Sequence, residues 1–420
     1  MTSSIASPTR GAGAAALPYG MAAALAAALL AAPLGAATPA PLAAVPIDIG
    51  EVPPPLHEAL LRVANEPAAN FVLNHLRASV IALELGLTDR SAQSMDIALN
   101  GITAIYADSD QAARARSLWH AEGSKDFKGE PYERWMAFYY RGVLDMMAGD
   151  WDNARADFKA GLLQDAFAEE EQNRADVAVL LYLQGWCSQM VGDMVTAREA
   201  YAEAKKLRPD LVIPAPDANV LVLAETGYGP RKLGDGVGNY ELVYRRGKRF
   251  TETRAYMQLS GQWQPLYPIE DVYWQATTRG GRPVDRIIKG KVAFKQNTEA
   301  VGTVLTGLAT EAMVLQPLSN SSSMNDKAAV VGLIGVAALA MSSKTQPAAD
   351  VRYWESLPDA IHVTTLKADA KQLGAVPFTF IDANNAEVPG LAQTRTTIAD
   401  QRGRGLLWVR SRYAINGVPK

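Results

Sequence analysis

Two stretches of the chain place small and aromatic residues at matching offsets, and this repetition restricts the fold more than any other feature. In the first stretch Gly142 is followed by Gly149, Ala154 and Phe158; in the second Gly185 is followed by Gly192, Ala197, Tyr201 and Ala204, with Pro209 closing the unit. Apolar positions around them recur at three- and four-residue spacing, the signature of amphipathic helices. Glycine and alanine let two antiparallel helices approach closely, and the aromatic ring fills the space beside them.

These are the offsets of the tetratricopeptide (TPR) pattern. Gly142 and Gly185 lie 43 residues apart, about nine more than the roughly 34-residue TPR period, so an insertion is expected around Asp165 to Arg174. Leu85-Gly86 followed by Ala92 and Ala98 reads as a degenerate earlier unit with Asp89-Arg90-Ser91 as its turn. Such arrays need about three units to close a core, so Pro53 to Tyr106 is expected to act as the cap. Residues 53–212 are therefore expected to form a TPR-like helical domain whose concave groove binds a protein partner. Tyr132, Trp135 and Tyr139 in the first repeat, with Tyr228 and Arg231 beyond the array, are the candidate partner-binding residues.

The amino-terminal fifty residues differ in composition. Arg10 is the only charge before Asp48, and Met21 to Ala32 is an almost unbroken Ala/Leu run ended by Pro33. That is the profile of an export signal, too short for the ~20 residues of a membrane-spanning helix. Cleavage is expected between about residues 36 and 40, making 1–40 a signal peptide and 41–52 a linker. No cysteine follows the run, which argues against a lipid anchor and for a soluble periplasmic protein.

Little in the chain suggests chemistry. Lys plus Arg is 41, Asp plus Glu is 44 and the net charge is −3, so no basic excess is available for a nucleic-acid backbone. No nucleophile elbow, His-Glu-x-x-His helix or phosphate-cradling glycine loop occurs. His120 with Glu122, Glu130 and Glu133 lacks metal-helix spacing and reads as a solvated loop leading into the helix after Pro131. The single cysteine, Cys187, is expected to be buried as a small hydrophobe. No catalytic, cofactor or metal residue is assigned, and no cofactor is expected.

After Pro209 the periodicity turns towards two. Strands are expected at Asn219 to Glu225, Tyr240 to Arg245, Tyr267 to Gln275 and Val284 to Lys295, a β-rich region over 213–296. Gly234-Asp-Gly236-Val-Gly238 is expected to be a hairpin connection. An apolar helical pair follows over 297–345, including Ala328 to Met341, fourteen residues without a polar side chain. At ~1.5 Å per residue it is short for a bilayer; it reads as a buried hairpin helix, with peripheral membrane contact through 328–341 as the alternative. Ala360 to Leu366, Val376 to Ile381 and Gly405 to Arg412 are expected strands of a small β-sandwich over 346–420, with Trp354 plugging an interdomain gap before it and Arg352 paired with an acid. The fold class is α+β.

The export signal, Lys125-Asp-Phe-Lys-Gly-Glu-Pro-Tyr-Glu133, Glu225-Thr-Gly-Tyr-Gly-Pro-Arg-Lys232 and Asp350-Val-Arg-Tyr-Trp-Glu-Ser-Leu-Pro358 together resemble a family of uncharacterised bacterial cell-envelope proteins. The resemblance spans roughly residues 55 to 415. It implies a TPR-bearing envelope protein, often a lipoprotein, associated with an activator lipoprotein of penicillin-binding proteins; it carries no catalytic residues. The expected function is a non-enzymatic periplasmic scaffold binding an envelope protein. The alternatives are an oligomeric membrane-associated assembly subunit, organised by the apolar pair, and an enzyme acting on peptidoglycan or peptide, for which Glu225 and Asp271 are the residues to test.

Overall fold

The helices of the amino-terminal half run in antiparallel pairs because their apolar stripes cannot be buried singly. The computed structural model describes residues 52–106, 126–127, 129–166, 176–235, 241–248, 251–278 and 350–416, all within one unit, Ile47–Lys420. The helices are α1 (Pro54–Asn65), α2 (Phe71–Glu84), α3 (Thr88–Tyr106), α4 (Pro131–Ala148), α5 (Trp151–Ala166), α6 (Ala178–Val191) and α7 (Met194–Leu207).

The pairs α4/α5 and α6/α7 are built alike. A Cβ added at Gly142 would lie 2.4 Å from the Phe158 ring, and one at Gly185 would lie 2.7 Å from the Tyr201 ring, so only glycine admits each aromatic residue. Ala154 and Ala197 are fully buried at the same crossings. Both first helices stop at a left-handed glycine, Gly149 or Gly192, the usual conformation just beyond a helix end. Upstream, α2 and α3 form another pair, but its turn is at Gly86 (φ 76°). Asp89 to Ser91, expected as that turn, instead belong to the first turn of α3.

The strands are β1 (Val220–Thr226), β2 (Arg231–Asp235), β3 (Glu241–Arg245), β4 (Glu252–Leu259), β5 (Gln262–Pro265), β6 (Tyr267–Asp271), β7 (Ala360–Leu366), β8 (Ala375–Asp382), β9 (Gln393–Thr396), β10 (Ile398–Ala399) and β11 (Gly405–Arg410). A five-stranded sheet runs β10-β11-β1-β7-β6 and a four-stranded sheet runs β5-β4-β8-β9, while β2 and β3 pair as a ribbon. Strand β1 lies parallel to β11 and antiparallel to β7. It is buried along its whole length, which fits its nearly continuous apolar run.

Alternate residues of β1 serve different cores. Leu221 and Leu223 join Ile361, Val363 and Leu406 against the helices. Val220, Val222 and Ala224 join Leu407 and Val409 against Ala255, Met257, Phe378 and Phe380 of the second sheet. The five-stranded sheet is thus the middle layer between the helical array and the four-stranded sheet. Strands expected in separate regions, 213–296 and 346–420, share both sheets; hydrogen bonding across the break makes the two stretches one β module.

Several local expectations differ. The segment expected as a strand from Tyr267 to Gln275 ends at Asp271 and continues as a short helix, α8 (Val272–Thr278), whose start is capped by the Asp271 carboxylate accepting from the Trp274 amide. Strands β4 and β5 occupy a stretch for which none was expected. Gly234 belongs to β2, paired with Leu242. The expected strand at Val284 to Lys295, the apolar pair over 297–345 and the signal segment lie outside the described residues. Among the described residues no helix is long and apolar enough to cross a membrane.

Candidate functional site

Polar and charged side chains concentrate where the helices meet the β module, and most are buried. Strand β11 ends at Arg410 and β1 reaches Glu225, and the two residues are register partners in the parallel pair. The Arg410 guanidinium pairs with Glu225 Oε2 at 3.1 Å and with Glu84 at the end of α2. It also donates to the Ser356 carbonyl. Glu225 accepts from the Tyr139 hydroxyl at 3.1 Å, the Tyr140 hydroxyl at 2.7 Å and the Trp408 indole at 2.9 Å. Glu84 accepts from the amides of Ala414 and Ile415 at 2.9 and 3.0 Å.

Burial pushes the Glu84 carboxyl upward, against Arg410 and the two amides. It also raises both tyrosine hydroxyls, reinforced in each by the Glu225 charge. Burial alone would lower Arg410; Tyr140, Glu84 and Glu225 together reverse that and hold it cationic. Two carboxylates facing one guanidinium are tolerated inside protein only when the remaining lone pairs are hydrogen-bonded, as they are here. With those lone pairs occupied, Glu225 is placed to hold α4, β1 and β11 together.

A second cluster surrounds the start of α4. Pro131 occupies the first turn, and Glu130 and Glu133 complete a capping box, each carboxylate satisfying an amide that the helix leaves free. Glu133 additionally accepts from the Trp354 amide at 2.6 Å, and Glu130 forms a buried ion pair with Lys232 of β2. Burial lifts the Glu133 carboxyl to about 7; Lys232 opposes the shift and Glu130 adds to it. The solvated loop expected for Glu130 and Glu133 is therefore corrected: both are buried, because the β2 lysine and the 350–358 segment close over them.

The third cluster is at the start of α6, which has no cap from its own chain neighbours. Glu270 of β6 reaches it from outside, accepting from the Val179 amide at 3.3 Å while pairing with Arg208 at 3.1 Å and Gln275 at 3.0 Å. A carboxylate here complements the positive helix end. Burial nevertheless moves it up to about 7, against Arg208, Gln275 and the amides.

Across these clusters runs Asp350 to Asp359. Arg352 pairs with Asp350 at 2.8 Å and donates to the Ala69 carbonyl and Asn70, both at 2.9 Å. Trp354 is buried with its ring 5.7 Å from that of Tyr140. Glu355 pairs with Arg77 of α2 at 2.8 Å. The segment thus lies over α2 and α4, on the side from which the β module packs.

Of the residues expected to bind a partner, Tyr132, Trp135, Tyr139 and Tyr228 are buried. Tyr139 belongs to the Glu225 cluster, Tyr132 packs edge-on against Tyr244 at 6.0 Å, and Trp135 lies in the helical core. None of these four offers surface to a partner, because α4 faces the chain's own β module and Tyr228 lies within that module. Arg231 is half-buried and donates to the Arg246 carbonyl at 3.1 Å. Glu225 and Asp271 serve different networks: Asp271 pairs with Arg246, which also holds the buried Asp359. Cys187 is buried, and burial raises its thiol well above the ordinary range.

Sequence reasoning missed Glu84, Arg410, Lys232 and Glu270. A signal existed for Arg410, a charge ending the apolar run Leu406 to Val409. None existed for Glu84, which looks like any helical surface acid. Among the described residues no group of three or more His, Cys, Asp or Glu could hold a metal. Comparison with protein-family models, curated proteins and solved structures gave no match.

Proposed function

We propose that this chain is a non-enzymatic scaffold of the bacterial cell envelope, exported to the periplasm and built on TPR-like repeats that hold a protein partner. The observation that carries this reading is the matched pair of helical hairpins, in which Gly142 meets Phe158 as Gly185 meets Tyr201. The export-type amino-terminal composition and the resemblance to envelope proteins support the compartment. Because α4 and α6 face the β module, we assign the partner to the outward side of α5 and α7. There Leu163 is 56% exposed and Val195 67% exposed, beside the exposed charges Arg198, Glu199, Lys205 and Lys206.

Site-specific photo-crosslinking in cells tests this. A photoreactive residue at position 163 or 195 of the full chain should give one discrete crosslinked protein, while one at the buried position 139 should give none. Failure of every outward position to crosslink would overturn the partner assignment. The compartment is checked separately by sequencing the mature amino terminus, expected near residues 37 to 41; an intact Met1 overturns export.

A further inference from the structure

The four-stranded sheet turns one face into the described core. Ala255 and Met257 of β4, with Val376, Phe378 and Phe380 of β8, point into the core, so the two-residue alternation sends Arg254, Tyr256, Gln258 and Thr379 to the other side. The register places Tyr256 between Pro265 of β5 and Thr379 of β8, and Trp263 beside Gln258. Thr394 of edge strand β9 faces the same way, opposite Pro377.

We propose that this outer face is a platform for a glycan chain. Trp263 is 47% exposed on an edge strand whose every residue is exposed, and Tyr256 lies diagonally across from it, about 7 to 8 Å away along the backbone. Aromatic faces at this spacing stack on the apolar C–H side of sugar rings, while the Gln258 amide and Thr394 hydroxyl can bond ring hydroxyls.

An independent observation points to a polar ligand. Thr379, on the same face and beside Tyr256, is only 7% exposed, and its hydroxyl has no hydrogen-bond partner among the described residues. Buried hydroxyls are normally satisfied, and a hydroxyl-rich ligand on this face supplies what the described residues do not. Charge narrows the class further. Arg254 is the one cation at these outward positions and none of them is a carboxylate, too little positive charge for a nucleic acid or an anionic bilayer but complementary to a neutral or weakly acidic glycan.

The test uses the purified full mature chain and is separate from the scaffold reading, which concerns a protein partner on the helices. Titration with chitotetraose by calorimetry, and sedimentation with purified peptidoglycan sacculi, should show saturable binding. Trp263→Ala should weaken it about tenfold or more, Trp263→Phe should keep most of it, and Trp274→Ala, an exposed tryptophan away from this face, should leave it unchanged. Thr379→Val should weaken binding while leaving the fold intact by circular dichroism. Binding to neither probe by the unsubstituted chain, equal affinity in Trp263→Ala, or Trp263-dependent binding to a proline-rich peptide or anionic vesicles instead would each overturn the proposal.

Discussion

The helical array and the β module bury apolar surface through contacts of very different reach. Within each helical hairpin the decisive partners are sequence neighbours: Gly142 meets Phe158 and Gly185 meets Tyr201, and each unit repeats the same solution. In the sheets, Val220 lies beside Leu366 on one side and Gly405 on the other, so the central strand is completed by chain far away in sequence. The array is assembled from local rules; the module depends on long loop closures, which cost entropy before their contacts form. The buried charges lie where the two meet, and they tie the local half to the distant one.

Breaking that tie should have the largest effect. Arg410→Met leaves Glu84 and Glu225 buried without their cation, and we expect a loss of about 3 to 5 kcal/mol in denaturant unfolding; an unchanged midpoint would show that the triad does not hold the halves together. Next is the pH dependence of Glu133. Its folded carboxyl, near 7, lies above the ordinary value of 4.5, so the folded chain binds this proton more tightly than the unfolded chain. The stability it confers is fully present below about pH 4.5, falls as pH rises towards 7 and is level above, by about 3 kcal/mol at most. Glu133→Gln should flatten that part of the stability profile, since glutamine still serves a capping box.

Within the array alone, Ala154→Leu and Gly185→Ala should each cost ~1 to 3 kcal/mol by overpacking, because added volume meets a neighbouring helix or the Tyr201 ring. Similar losses at both sites, measured as shifts of the thermal midpoint, would confirm that the hairpins are equivalent; a loss at only one would separate them. The smallest effect concerns reactivity. Buried and held as a neutral thiol, Cys187 should react slowly with a thiol reagent in the native protein and rapidly in denaturant, and equal rates would place it at the surface.

The same contrast in reach decides what could be read from the sequence. The repeat was legible because Gly142, Ala154 and Phe158 act on one another across one turn of chain, leaving their spacing in the sequence. Strands β1, β7, β8 and β11 were legible singly, through their apolar runs. Their pairing was not: nothing local to Val220 indicates that it lies parallel to Gly405, and so one β module reads as two regions. The site was the least legible part. Tyr132, Trp135 and Tyr139 look like a binding face on an isolated helix, and only the neighbouring helices, the β2/β3 ribbon and β1 packed around them make them interior. Tyr267 to Gln275 misled for a local reason: the Asp271 carboxylate caps a helix where β-branched and aromatic residues suggest that a strand continues.

The parallel pairing of β1 with β11 bears on the order in which the protein is made. As the chain emerges amino terminus first, the helices that will cover one face of β1 precede it, but both strands that flank it, β7 and β11, come later. Even after β7 has paired, one edge of the central strand stays an open template for any passing extended chain until residues 405–410 arrive. A stop codon at Gly403 would trim little mass, yet it would leave that edge permanently open and remove Arg410 with it, so the truncated product is expected to aggregate or be degraded rather than fold as a shortened protein.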